Sequence, residues 1–84
     1  MEFEWDDKKS ALVKATRGAS FEELESAIAA GDLIATEIPP HSPQRFLVVR
    51  FKGEAWVVVV EDRGEKIRIV TAYASRKMRK KYGI

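Results

Sequence analysis

Cysteine is absent from this sequence, and histidine occurs only once, at His41. Without thiols the chain has no disulfide framework, no thiolate metal site and no cysteine nucleophile. A single histidine also excludes a histidine-rich metal site. We therefore expect no metal and no other cofactor.

Long hydrophobic runs are absent as well. The longest, Ala55 to Val60, is far too short to span a bilayer. Residues 1–7 are acidic and lack the apolar stretch of a signal peptide. With 84 residues, 45% of them hydrophobic and 33% charged, the composition predicts one globular domain over residues 1–84, cytoplasmic and without membrane contact.

Acidic residues are missing from one end of the chain. Residues 75–84 carry five bases and no acid, whereas the rest carries ten bases against thirteen acids, a net charge of −3. Four acids and no base lie between Ser20 and Asp32. Such a dipole predicts a basic end that suits a polyanion and an acidic stretch that faces elsewhere.

The N-terminal part predicts a short strand and two helices. Alternation of polar and apolar residues indicates a strand over residues 2–5. A helix capped by Asp6 or Asp7 should run to about Arg17 and end at Gly18. Ser20 and Glu23 have the spacing of a capping box, which predicts a second helix that ends near Gly31.

The remainder predicts strands and one short helix. The expected strands are Leu33–Ile38, Arg45–Phe51, Ala55–Glu61 and Lys66–Ala74, with a proline-rich loop over residues 39–43 and a final helix from Ser75 through Tyr82. Ala55–Glu61 is apolar on both faces, which predicts an internal strand. In the last strand, strict alternation places Ile67, Ile69, Thr71 and Tyr73 on one face, and we expect Tyr73 to pack there.

These elements together predict an α+β fold. We expect a four- to five-stranded antiparallel sheet with the two N-terminal helices on one face, the other face partly open, and a short C-terminal helix. Trp5 and Trp56 are expected in the core.

Several segments, taken in order, resemble BrnT-type toxins of type II toxin–antitoxin systems. They are Phe3-Glu4-Trp5-Asp6, Arg17 to Glu23, the loop at His41, the valine-rich strands, and Ser75-Arg76-Lys77 followed by Tyr82. The group belongs to the RelE/ParE-like superfamily. The resemblance implies a RelE-like fold, RNA cleavage without a metal ion, and neutralisation by a small ribbon-helix-helix antitoxin.

Two departures from the family keep other functions open. Arg17 stands where many relatives have histidine, and the loop around His41 is short. The alternatives are a catalytically inactive relative that binds an antitoxin or RNA, and a structural module whose basic end docks to an acidic protein.

RNA cleavage without metal needs an acid–base pair and cations for the phosphate. We expect Arg45, Arg76 and His41 to be catalytic, because Arg45 opens one strand and Arg76 follows another, and a meander could bring both to one edge. The residues expected to bind RNA are Arg68, Lys77, Arg79, Lys80, Lys81 and Tyr82. If the active site lies elsewhere, we expect it around Lys14 and Arg17.

Overall fold

The computed structural model describes residues 2–84 and confirms an α+β fold built on one five-stranded sheet. The elements, in chain order, are β1 (Phe3–Glu4), α1 (Asp7–Arg17), α2 (Phe21–Ala29), β2 (Leu33–Glu37), β3 (Gln44–Phe51), β4 (Glu54–Arg63), β5 (Lys66–Ala74) and α3 (Arg76–Tyr82). Their order is the predicted one, and their ends differ from the predicted ends by at most two residues.

The helix ends follow the capping signals in the sequence. Asp6 accepts hydrogen bonds from the amides of Lys8 and Lys9, and Gly18 ends α1 in the left-handed region at φ 101°. The capping box of α2 is complete, since the Ser20 and Glu23 side chains each accept from the other's backbone amide. These local contacts confirm the predicted pair of helices.

The strand order is β1-β5-β4-β3-β2, which confirms β4 as an internal strand. Strands β3 and β4 join through Lys52 and Gly53, whose φ angles of 52° and 75° fit the two-residue hairpin turn that matches strand twist. A second tight turn containing Gly64 joins β4 to β5. Strands β2 to β5 therefore form an antiparallel meander.

The expectation of a wholly antiparallel sheet is wrong for one pair, because β1 runs parallel to β5 with Phe3 opposite Ile67. The two helices carry the chain from β1 to the far edge at β2, and the meander then returns to β1 with β5. A strand of two residues carries no directional signal in its own sequence, so this pairing is decided by the path of the chain.

Each face of the sheet carries its own hydrophobic cluster. On one face α1 and α2 pack through Val13, Phe21 and Leu24 against a cluster that includes Trp56 and Val58. The other face carries a smaller cluster of Val48, Ala55, Val57, Val59 and Met78, the last of which comes from α3. Both predicted tryptophans lie at the first cluster, Trp56 buried and Trp5 half-buried. Helix α3 thus covers part of the second face, which was predicted to be partly open.

A β-bulge interrupts the alternation predicted for β5. Val60 lies opposite Ile69 and Val59 opposite Thr71, so Val70 has no partner of its own on β4. Beyond this point the faces exchange, and Ala72 rather than Thr71 joins the cluster that contains Ile69. The prediction that Thr71 and Tyr73 share the face of Ile69 is therefore wrong.

Candidate active site

The structure separates Arg76 from Arg45 and His41, with which it was expected to form one catalytic cluster. Arg45 lies opposite Val60 of β4, whereas Ala74, two residues before Arg76, lies opposite Trp56. Since β3 and β5 both run antiparallel to β4, the start of one and the end of the other lie at opposite ends of the sheet. At about 3.3 Å per residue the two arginines are roughly 20 Å apart along the strands. The predicted convergence of Arg45 with Arg76 is wrong.

Arg45 lies beside acidic partners at its end of the sheet. Its Nη2 donates to Asp62 Oδ1 at 2.7 Å, and its buried Nε makes no hydrogen bond within the described residues 2–84. His41 is exposed in the β2–β3 loop at φ 60°, near the same end. Nearby Glu61 accepts hydrogen bonds from the side chains of Gln44 and Arg63, and the one from Gln44 has the larger effect. These contacts lower the pKa of Glu61, which makes it a weaker base.

Three of the residues expected to bind RNA are held by carboxylates, and one of them, Lys81, pairs with Glu37. Arg68 is half-buried, and its Nη1 donates to Glu4 Oε2 at 3.0 Å across the β1–β5 pair. Tyr82 packs against the second cluster, and its hydroxyl donates to Glu37. A phosphate or base would have to displace these contacts before any of these side chains could bind it.

The opposite end of the sheet, where β5 passes into α3, is cationic. A cavity of about 350 Å³ opens there, lined by Glu54, Ala55, Ala74, Ser75, Arg76 and Arg79. A second cavity along α3, of about 590 Å³, is lined by Arg76, Arg79, Lys80, Gly83 and Ile84. Arg76 and Arg79 line both cavities. They present two guanidinium groups with the paired donors that suit a phosphate.

The helix α3 orients its charges by burying one side chain. Ser75 accepts from the amide of Met78 at the start of the helix, and Met78 is buried against the sheet. Arg76, Lys77 and Lys80 are exposed and make no salt bridge within the part of the chain that the structure describes. Their charges are therefore available to an anionic ligand.

Glu37 of β2 anchors the far end of α3. Its Oε2 accepts from Lys81 Nζ at 2.6 Å and also from the Tyr82 hydroxyl. The hydrogen bond from Lys81, followed by the one from Tyr82, lowers the pKa of Glu37. The same contacts raise the pKa of Lys81 and of Tyr82. This carboxylate fixes the helix that carries Arg76 and Arg79.

The residues of the alternative location have different surroundings. Lys14 pairs with Glu23 at 2.7 Å, within the helix pair. Arg17 instead reaches β5, where its Nη1 donates to the Ala72 carbonyl at 2.9 Å and to Thr71 Oγ1 at 3.1 Å. Arg17 is therefore bound to β5 two residues before Ala74, which lines the cationic cavity, and Lys14 is neutralised.

Glu54 is a residue of this cavity that the sequence reasoning missed. It is the first residue of β4, directly after the Lys52-Gly53 turn, and it lies at the same sheet end as the last residue of β5. The meander itself contained this signal, because the start of a strand in a hairpin chain lies beside the end of the next strand. No group of three histidine, aspartate or glutamate side chains among residues 2–84 is arranged to hold a metal ion.

Comparison with known proteins gives a family for the chain. No helix among residues 2–84 is long and apolar enough to cross a membrane. A search of the curated proteins found no significant match. The family model described as the ribonuclease toxin BrnT of type II toxin–antitoxin systems matches residues 5–81. The chain therefore belongs to the BrnT family of ribonuclease toxins.

Proposed function

We propose that this chain cleaves RNA without a metal ion at the cavity between the start of β4 and α3. The observation that carries the proposal is the pair formed by Arg76 and Arg79, two guanidinium groups that line one cavity together with a single carboxylate, Glu54. The proposed site of action is the cytoplasm, because a ribonuclease toxin acts where RNA is abundant.

The chemistry follows from the groups that line the cavity. Arg76 and Arg79 bind the non-bridging oxygens of the scissile phosphate and stabilise the charge that develops on them. Glu54 accepts the proton of the 2′-hydroxyl, whose oxygen then attacks phosphorus. The bond to the 5′-oxygen breaks, that oxygen takes a proton from water, and a 2′,3′-cyclic phosphate remains.

Arg45 and His41 remain an alternative location for the active site, which is tested separately. They lie too far from Arg76 to act on the same phosphate, so cleavage depends on one end of the sheet or on the other. Replacing a side chain that donates hydrogen bonds to the reacting phosphate by alanine typically lowers the rate by about two to three orders of magnitude. The two locations therefore predict opposite results for matched substitutions.

The decisive experiment measures cleavage of a single-stranded RNA by purified variants in the presence of EDTA. We expect Arg76→Ala and Arg79→Ala to lose roughly 100-fold or more in rate, and Glu54→Gln to lose activity with unchanged RNA affinity. Arg63→Gln, an exposed arginine at the other end, is the matched control and should cut normally. Loss of activity in Arg45→Ala and His41→Ala, with Arg76→Ala unaffected, would overturn the proposal.

The family implies an antitoxin partner, and we propose that it is a small ribbon-helix-helix protein. The resemblance of the segments supports this type. Co-expression with the protein encoded beside the toxin gene, followed by size exclusion, should give a stable complex, and separate elution at micromolar concentration would contradict the pairing. A wild type that binds RNA and antitoxin but never cleaves would favour the binding-only alternative.

A further inference from the structure

The edge of β5 beside the cationic cavity carries an exposed aromatic ring. Strand β1 pairs only with Ile67 and Arg68, so the C-terminal half of β5 has no neighbouring strand on that side among residues 2–84. Tyr73 lies in this half and is 38% exposed. Because the bulge at Val70 turns Tyr73 away from the main core, its ring is left at the surface, three residues before Arg76.

Arg17 is hydrogen-bonded to the two residues directly before Tyr73 and is held in place by these contacts. Its Nη1 donates to the carbonyl of Ala72, the residue directly before Tyr73. Its Nη2 and Nε make no hydrogen bond within residues 2–84, and no carboxylate of that range forms a salt bridge with it. A fixed guanidinium with free donors is suited to bind a phosphate.

We propose that Tyr73 and Arg17 form a subsite for an unpaired nucleotide of single-stranded RNA. Tyr73 stacks on the base, Arg17 binds a neighbouring phosphate, and the strand continues into the cavity of Arg76 and Arg79. The subsite deepens the proposed function and rests on it. Three residues of chain span at most about 10 Å, a distance that consecutive nucleotides of one strand can bridge.

The charges around the ring favour RNA over a protein as its ligand. Arg17 is bonded to the residues before Tyr73, and Arg76 and Lys77 follow Tyr73 in the chain. Within the described part of the chain none of the three cations is salt-bridged to an acid. Aromatic rings between cations are typical of single-strand binding, because every base offers a face for stacking. A base in a duplex is already stacked and paired, so this subsite selects unpaired RNA.

The test uses binding of a fluorescent, fully 2′-O-methylated RNA oligonucleotide, which cannot be cleaved through its 2′-oxygen. Loss of one base–aromatic stack should weaken the affinity by roughly 5- to 100-fold in Tyr73→Ala, and Tyr73→Phe should bind like wild type. Arg17→Gln should flatten the log–log salt dependence by about 0.7. A blunt-ended duplex of two complementary strands, in which every base is paired, should bind wild type and Tyr73→Ala equally.

The control is Leu12→Ala, which removes another exposed apolar side chain, on α1, and should leave the affinity unchanged. If Tyr73→Ala binds normally while Arg76→Ala binds weakly, the subsite is wrong and the proposed function stands. If Arg76→Ala also binds normally, the proposed function falls too. Tyr73→Ala that loses antitoxin affinity but keeps RNA affinity would assign the ring to the protein partner and overturn the subsite.

Discussion

At the residue scale, one carboxylate joins the end of β2 to the end of α3. Glu37 ends β2, and Lys81 and Tyr82 end α3, yet all three meet at a single oxygen. Exposed ion pairs contribute little on their own. This pair is reinforced by the phenol and by packing of Tyr82 on the sheet, so its main effect is to hold α3 in one orientation.

The pH dependence of stability provides a test of this anchor. The pKa of Glu37 lies below its ordinary value of 4.5 in the folded state, so its contribution is present above that value and is lost as pH falls through the folded pKa. The pKa of Lys81 is raised above 10.5, so its contribution is lost only as pH rises through that higher value. We expect Glu37→Gln to lower the melting temperature at neutral pH, with the difference from wild type shrinking in acid.

Circular dichroism melts between about pH 3 and pH 9 measure this difference. An ultraviolet titration should also show one tyrosine whose pKa falls in Glu37→Gln. Glu65→Gln, in the exposed β4–β5 turn, is the control and should melt like wild type at every pH. Equal melting of wild type and Glu37→Gln at neutral pH would show that the anchor does not stabilise the fold.

At the element scale, each helix depends on a small number of capping contacts. The start of α2 is held by Ser20 and Glu23. The pKa of Glu23 is lowered to about 2, mainly by the hydrogen bond from Lys14 and next by the one from the Ser20 amide. At the start of helix α3, the Ser75 side chain accepts from the amide of Met78. A helix of nine or seven residues is too short to be stable alone, so these caps and the packed face act together.

Removal of the α2 cap should lower the stability of the whole chain. Ser20→Ala loses the acceptor for the Glu23 amide, and we expect the free energy of unfolding to fall by about 1 kcal/mol. Ser26→Ala is the matched control, because it makes the same substitution at an exposed position of the same helix and should not destabilise. Urea unfolding measures both, and equal midpoints for the two variants would contradict the capping role.

At the scale of the whole molecule, the charged residues are distributed unevenly over the surface, although the net charge is small. The net charge is only +2, yet the exposed bases of α3 cluster beside one cavity while the acids of α2 lie on the opposite face of the sheet. The C-terminal segment is not a solvated tail, since Met78, Tyr82 and Ile84 pack against the sheet. We therefore expect the affinity for RNA to depend on where a lysine or arginine lies on the surface.

Substitutions of equal charge at two places distinguish position from total charge. Lys77→Gln with Lys80→Gln should flatten the log–log salt dependence of RNA affinity by about 1.4, because each phosphate that is no longer neutralised lowers the slope by about 0.7. Lys8→Gln with Lys9→Gln removes the same charge from exposed positions at the start of α1 and should leave the slope nearly unchanged. Equal slopes for both double variants would mean that only net charge matters.

Local chemistry explains why much of this fold could be predicted. The caps at Asp6 and Ser20, the left-handed glycine at Gly18 and the two-sided apolarity of β4 each act over a few neighbouring residues. They therefore leave a pattern in the sequence, from which the order of the helices and strands could be predicted. The resemblance to BrnT-type toxins likewise depended on the order of short segments, and the family match over residues 5–81 confirms it.

The candidate site could be predicted only in part. Arg76 and Arg79 stood out because five bases without an acid follow one another, and the structure places both in a cavity. Glu54 did not stand out, since a single carboxylate after a turn looks like a surface residue. Tyr73 was considered for stacking on a base, but its position in an alternating strand favoured packing. The bulge at Val70 depends on registry with β4, which no short sequence pattern records.

The sequence by itself determined the helices, the hairpin turns, the internal position of β4 and the basic character of the C-terminal end, because each depends on contacts or composition within a short stretch. The tertiary structure alone decided three further points. It set the parallel pairing of β1 with β5, the separation of Arg45 from Arg76, and the anchoring of α3 by Glu37. These join residues far apart in the chain, and the direction and register of strands, which only the folded sheet defines, decide which side chains meet.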